Sequence, residues 1–124
     1  MTGPNLYYMM IYPNPDSPDT ATSADFNPFR RRDPNLSAYD SRLISAEAAY
    51  LHFVGQGNEA SGVMAVTVEE CESLGLTIEA DPLPANSAHA LVKFDAIPNR
   101  RNAFRVVALQ LKEFANRRGW IYRP

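Results

Sequence analysis

Ser61-Gly-Val-Met-Ala-Val-Thr-Val-Glu-Glu70 passes from an apolar run into a helix start within ten residues. Ser61–Val66 has the apolar, β-favouring character of a buried strand. Thr67-Val-Glu-Glu70 then matches a capping box, in which a threonine hydroxyl and a glutamate three residues on satisfy each other's backbone N–H groups. Gly75 ends that short helix. A strand feeding directly into a helix indicates a mixed domain, and the rest of the chain supports this in both directions.

Upstream, Leu6-Tyr-Tyr-Met-Met-Ile-Tyr12 reads as a buried strand closed by Pro13, Pro15 and Pro18. Residues 13–35 hold five Pro among Asp, Ser, Thr and Asn, a composition that resists regular structure and predicts a long surface loop. Loops of this length inside compact domains are often functional. Phe26 and Phe29 are placed to pin the loop while Arg30-Arg31-Arg32 face outward. Leu36–Asp40 suits a short strand. Ser45 precedes a run of helix formers, Ala46–Val54, with Gly55 beyond its end.

Downstream, Leu76–Ala80 suits a strand, Asp81-Pro-Leu-Pro-Ala-Asn86 is turn chemistry, and Ser87–Phe94 is a further strand. Its alternation puts Ala88, Ala90, Val92 and Phe94 on one face and His89, Leu91 and Lys93 on the other. Pro98 and Asn99 open a long helix carrying the stripe Phe104, Val107, Ala108, Leu111 and Ala115, ended by Gly119. Trp120–Tyr122 can then fold back onto the core. Short strands with short connections predict a small, curved, mostly antiparallel sheet covered by the C-terminal helix: an α+β fold in one domain over 1–124.

The 124 residues, 45% apolar, can bury roughly two thirds of the unfolded surface without disulfides or metal. The single Cys71 excludes an intramolecular disulfide and a multi-Cys zinc site, and the acids around it oppose thiolate formation. With only His52 and His89, a histidine-rich metal site is excluded too, and the expectation is no metal and no cofactor. The N-terminal run lacks both a basic leader and a bilayer-spanning length, so a cytoplasmic protein without membrane contact is expected.

The formal charge of −2 hides an asymmetry. Residues 1–92 carry about −8, whereas residues 93–124 carry about +6. The basic helix therefore answers either the acidic half of its own fold, a partner, or an anionic ligand. The arginine triplet and the helix residues Arg100, Arg101 and Arg105 are the candidate phosphate contacts. No P-loop, dinucleotide-binding glycine fingerprint, zinc-protease helix or nucleophile elbow occurs. His89, just past a proline-rich turn, is the candidate acid/base, with Ser87 or Ser37 nearby. Thr20, Thr22 and Ser23 beside Asp25 read as local turn formers.

Thr22-Ser-Ala-Asp-Phe26, Leu36-Ser-Ala-Tyr39, Gly62-Val-Met-Ala-Val-Thr67 and above all Asp81-Pro-Leu-Pro-Ala-Asn-Ser-Ala-His-Ala-Leu-Val92 carry a resemblance. Over roughly residues 20–95 the chain resembles small bacterial proteins of no assigned activity that have a D-P-L-P-x-x-x-A-H-A-L-V segment. The resemblance implies a bacterial origin and one α+β domain. It departs at Leu6–Ile11, where many such proteins have an arginine-rich strand.

Three functions stay open. Missing catalytic motifs and a charge-divided surface favour an accessory or protein-interaction module, with a protein partner or as a homo-oligomer, of the kind found in defence or mobile-element systems. The second is a nucleic-acid-binding regulator or toxin using Arg30, Arg31, Arg32, Arg100, Arg101 and Arg105. The third is a small nucleotide- or phosphoester-processing enzyme using His89.

Overall fold

The computed structural model describes residues 5–29, 33–98 and 100–124. Five strands, β1 (Leu6–Ile11), β2 (Asn35–Asp40), β3 (Gly62–Thr67), β4 (Thr77–Ala80) and β5 (His89–Lys93), form one open sheet. The order is β3-β1-β2-β5-β4, with every pairing antiparallel. Three helices, α1 (Ala46–Gly55), α2 (Val68–Ser73) and α3 (Arg100–Arg118), complete the α+β domain. No helix among the described residues is long and apolar enough to cross a membrane.

The local signals act as the residue types require. Thr67 and Glu70 close the capping box: Glu70 N–H donates to Thr67 Oγ1 at 3.1 Å and Thr67 N–H to Glu70 Oε1 at 2.9 Å. Ser45 caps α1 by accepting from Ala48 N–H. The expectation that Gly55 lies beyond the end of α1 is corrected. Gly55 is its last residue, and the left-handed turn that ends it falls on Gly57, with φ of +92°. Helix α3 begins at Arg100, and Asn99 lies outside the described residues.

Strand alternation divides the sheet into two faces. One carries Met9, Ile11, Met64, Val66, Leu36, Ala38, Ala90 and Val92, packed against Phe104, Val107, Ala108, Leu111 and Ala115 of α3 and against Cys71. Phe94 and Phe104 meet edge to face, 5.0 Å between centroids. The loop after β1 contributes to this core: a 3₁₀ turn over Ser23–Phe26 buries Phe26 completely, whereas Phe29 stays exposed. The other face carries Tyr8, Met10, Tyr39, Val63 and Ala65, and α1 covers its β1–β3 half through Ala49, Tyr50 and Phe53.

The C-terminus does fold back. Val63 bridges Tyr122, so the outer edge of β3 is partly paired, and a Cβ on Gly62 would sit 2.7 Å from the Tyr122 carbonyl oxygen. Across the sheet, β1 and β3 pair along six positions from Leu6↔Thr67 to Ile11↔Gly62, whereas β1 and β2 pair only at Tyr7↔Asp40 and Tyr8↔Tyr39. Beyond Tyr8 the two central strands splay apart.

Candidate active site

A cavity of about 350 Å³ opens at that splay. Met9 and Met10 of β1, Leu36, Ser37 and Tyr39 of β2, His52 and Phe53 of α1, and Leu83, Asn86 and His89 of the β4–β5 hairpin line it. That is roughly the room of a dozen waters at ~30 Å³ each, the size of a small-molecule site.

The hairpin is built by its turn chemistry. Leu83 and Asn86 exchange two backbone hydrogen bonds of 3.0 Å, and Asn86 accepts from His89 N–H. Asp81 N–H donates to the His89 carbonyl at 2.9 Å, which sets the two residues opposite each other at the end of the β4–β5 ladder. There His89 Nδ1 lies 3.0 Å from Asp81 Oδ2 and 3.0 Å from the Asp81 carbonyl oxygen. Both partners are acceptors, so Nδ1 carries the proton. The neutral ring then has Nε2 as its lone-pair nitrogen, and Ser37 Oγ stands 3.1 Å from it.

Ser37 arrives from β2, whose register with β5 places Tyr39 directly opposite His89 and Ser37 diagonal to it on the same face. The His89 side chain is 12% exposed, against 44% for Asp81. A hydroxyl, an imidazole and a carboxylate are thus linked in order, with the imidazole oriented by the carboxylate and poised to take the hydroxyl proton.

A second polar couple stands in the same cavity. Tyr39 Oη lies 2.9 Å from His52 Nδ1, with the rings edge to face. Burial raises the Tyr39 phenol above its ordinary value. Asp25 lines the cavity from the 3₁₀ turn and accepts from Tyr12 N–H and Thr22 N–H, each at 2.9 Å. Burial pushes its carboxyl up, outweighing those hydrogen bonds. Thr22 thus serves the local turn.

Of the two serines expected near His89, the structure sets Ser37 beside it and not Ser87. Ser87 is exposed in the hairpin turn and does not line the cavity, because the turn ends before β5 begins; the hydroxyl beside His89 is that of Ser37, 52 positions away in sequence. Asp81 and His52 are not among the site residues to which the sequence points. Asp81 was detectable in principle, since a hairpin closing around residues 82–88 must set residue 81 opposite residue 89. His52 required knowledge of where α1 lies.

Among the described residues, the candidate arginines do not line the cavity beside His89. Arg30, Arg31 and Arg32 lie outside the described residues. Arg100, Arg101 and Arg105 belong to α3, which packs on the opposite face of the sheet. Arg100 donates to the Phe29 carbonyl and lies over the Phe104 ring, while Arg101 and Arg105 are exposed. Other C-terminal cations answer the acidic half within the molecule. Arg118 makes a two-pronged bond to Glu70 at 2.9 and 3.0 Å, and Arg123 binds Asp19 at 3.1 Å.

Among the described residues no group of three or more His, Cys, Asp or Glu is placed to hold a metal ion. Cys71, in α2, is buried, and burial, with Glu70 and Glu72 nearby, pushes its thiol up to about 12, so it is no nucleophile. No family model matches the chain, and no curated protein or solved structure matches it either.

Proposed function

We propose that the protein is a small serine-dependent hydrolase acting on uncharged acyl compounds, with Ser37 as nucleophile, His89 as general base and Asp81 as the group that orients and charge-stabilises the imidazole. The observation that carries this reading is the linked set Ser37 Oγ, His89 Nε2, His89 Nδ1 and Asp81 Oδ2 at 3.1 and 3.0 Å, with Ser37 and His89 lining a ligand-sized cavity. Attack by Ser37 on a carbonyl carbon passes its proton to His89, and Asp81 stabilises the imidazolium that forms. The side-chain amides of Asn86 and Gln56, which line the cavity, are donors of the kind that stabilise a developing oxyanion.

The walls select the substrate. Met9, Met10, Leu36, Phe53 and Leu83 present apolar surface, and no Arg or Lys among the described residues lines the cavity. A neutral ester with a short apolar acyl group suits these walls better than a phosphoester, whose charge calls for cationic donors.

The test is hydrolysis of 4-nitrophenyl acetate and butyrate by the wild type and by Ser37→Ala, His89→Ala and Asp81→Asn, together with labelling by a fluorophosphonate. Loss of roughly 10³-fold or more in the Ser37 and His89 variants, with the label on Ser37, is the expected result. Wild-type rates in Ser37→Ala overturn the reading.

A protein-interaction role is the second reading. It draws on Val106 and Leu109, 55% and 41% exposed and one turn apart on the outer side of α3. A native pull-down that recovers a stoichiometric protein after nuclease treatment, and loses it with Val106→Lys, supports that role. Capture that survives Val106→Lys removes it.

A further inference from the structure

The cavity holds both histidines of the chain, and only one is used by the hydrolase reading. His52 is held by the Tyr39 hydroxyl, and Tyr39 is the residue paired with His89 across the β2–β5 ladder. One β2 segment, Ser37–Tyr39, therefore carries the partner of each imidazole: Ser37 for His89 and Tyr39 for His52. Tyr39 engages Nδ1 of His52, so Nε2 is the nitrogen of that ring available to a molecule in the cavity. On the His89 side both ring nitrogens are already engaged, by Asp81 and by Ser37.

We propose that His52 is a second catalytic histidine, the proton donor to the leaving group, so that the enzyme acts on esters with poor, alkoxide-type leaving groups. This inference rests on the hydrolase reading. His52 enters the cycle protonated, its Nδ1–H donating to the Tyr39 oxygen. Ser37 Oγ bonds the carbonyl carbon while its proton moves to His89 Nε2. As the bond from carbon to the alkoxy oxygen breaks, that oxygen takes the proton from His52 Nε2 and departs as the alcohol. Acyl-Ser37, protonated His89 and neutral His52 remain.

Deacylation exchanges the roles. His52 Nε2 takes a proton from water as the water oxygen bonds the acyl carbon, and Ser37 Oγ leaves and recovers its proton from His89. The acid is released and both histidines return to their starting states. A division of labour between two imidazoles lets one act as base while the other is already an acid. The titratable groups facing His52 across the cavity are Tyr12 at the end of β1, Asp25 on the 3₁₀ turn, Tyr39 on β2 and His89 on β5.

The leaving group provides the test, because 4-nitrophenolate departs without a proton whereas an alkoxide requires one. Acylation is measured in single turnovers with 4-nitrophenyl butyrate and ethyl butyrate for the wild type, His52→Gln, Tyr39→Phe and Ser37→Ala. In His52→Gln the ratio of the 4-nitrophenyl to the ethyl rate rises by roughly 100-fold, and in Tyr39→Phe it rises by less. An unchanged ratio overturns the role of His52, since a merely structural histidine slows both esters alike. Retained acylation in Ser37→Ala overturns the hydrolase reading instead, so the two failures are distinguishable.

Discussion

The two faces of the sheet are made by the same strands yet differ in kind. Toward α3, β2 presents Leu36 and Ala38, both buried, and β5 presents Ala90 and Val92 in a continuous apolar layer. Toward α1, the same strands present Ser37, Tyr39 and His89, and the covering helix packs on the β1–β3 half and meets β2 where His52 contacts Tyr39. One residue of shift along β2 separates a packing position from the proposed nucleophile. The dry face supplies the rigidity that holds Ser37 within hydrogen-bonding distance of His89, and Tyr39 within that of His52, on the other.

The sharpest way to break this comparison is at Phe26, fully buried beneath the long loop. Phe26→Ala should cost about 3–5 kcal/mol, a large part of the ~5–15 kcal/mol of a typical domain, read as a lower urea midpoint. Adjacent residues of β2 give the next test. Ala38→Ser buries a hydroxyl in the apolar layer and should cost about 1–3 kcal/mol, whereas Ser37→Ala should stay within roughly 0.5 kcal/mol while losing activity. Equal costs at the two positions would erase the distinction between the faces.

The smallest expected effect concerns charge, and its sign differs between the faces. Burial raises the Glu70 carboxyl, but the Arg118 hydrogen bonds, the Thr67 N–H and the Arg118 charge outweigh it and hold it below its ordinary 4.5. Its stabilisation is complete above that value and is lost as pH falls through the lower folded one. Asp25 beside the cavity is raised instead, so its ionised form opposes folding and that cost disappears as pH falls through its folded value. Urea titrations across the acid range should show a shallower loss of stability in Glu70→Gln than in the wild type. An unchanged slope would mean that Arg118 does not hold the carboxylate.

Much of the fold was legible in the sequence because its signals are local. The Thr67–Glu70 capping box, the α3 stripe and the alternation around His89 each declare themselves within a few residues, and all five strands lie within two residues of their expected ends. Of the two aromatics expected to pin the loop, Phe26 is buried and Phe29 is exposed, and the 3₁₀ turn that carries Phe26 is not among the expected elements. The site was legible only in part. His89 and its direction away from the apolar face followed from alternation, and Ser37 stood beside Ser87 as an alternative. Choosing between them depends on the β2–β5 register, which joins residues some fifty positions apart and leaves no short-range pattern. His52 depends likewise on α1 crossing the sheet above Tyr39.

The β4–β5 hairpin sets an order of assembly. Asp81 and His89 are eight residues apart and meet as soon as their turn closes, whereas Ser37 reaches His89 only when β2 docks across a separation of 52. Short closures form early and long ones late. During refolding the Asp81–His89 pair therefore forms before Ser37 reaches it, and under the proposed function the return of hydrolysis times the closing of the β2–β5 seam.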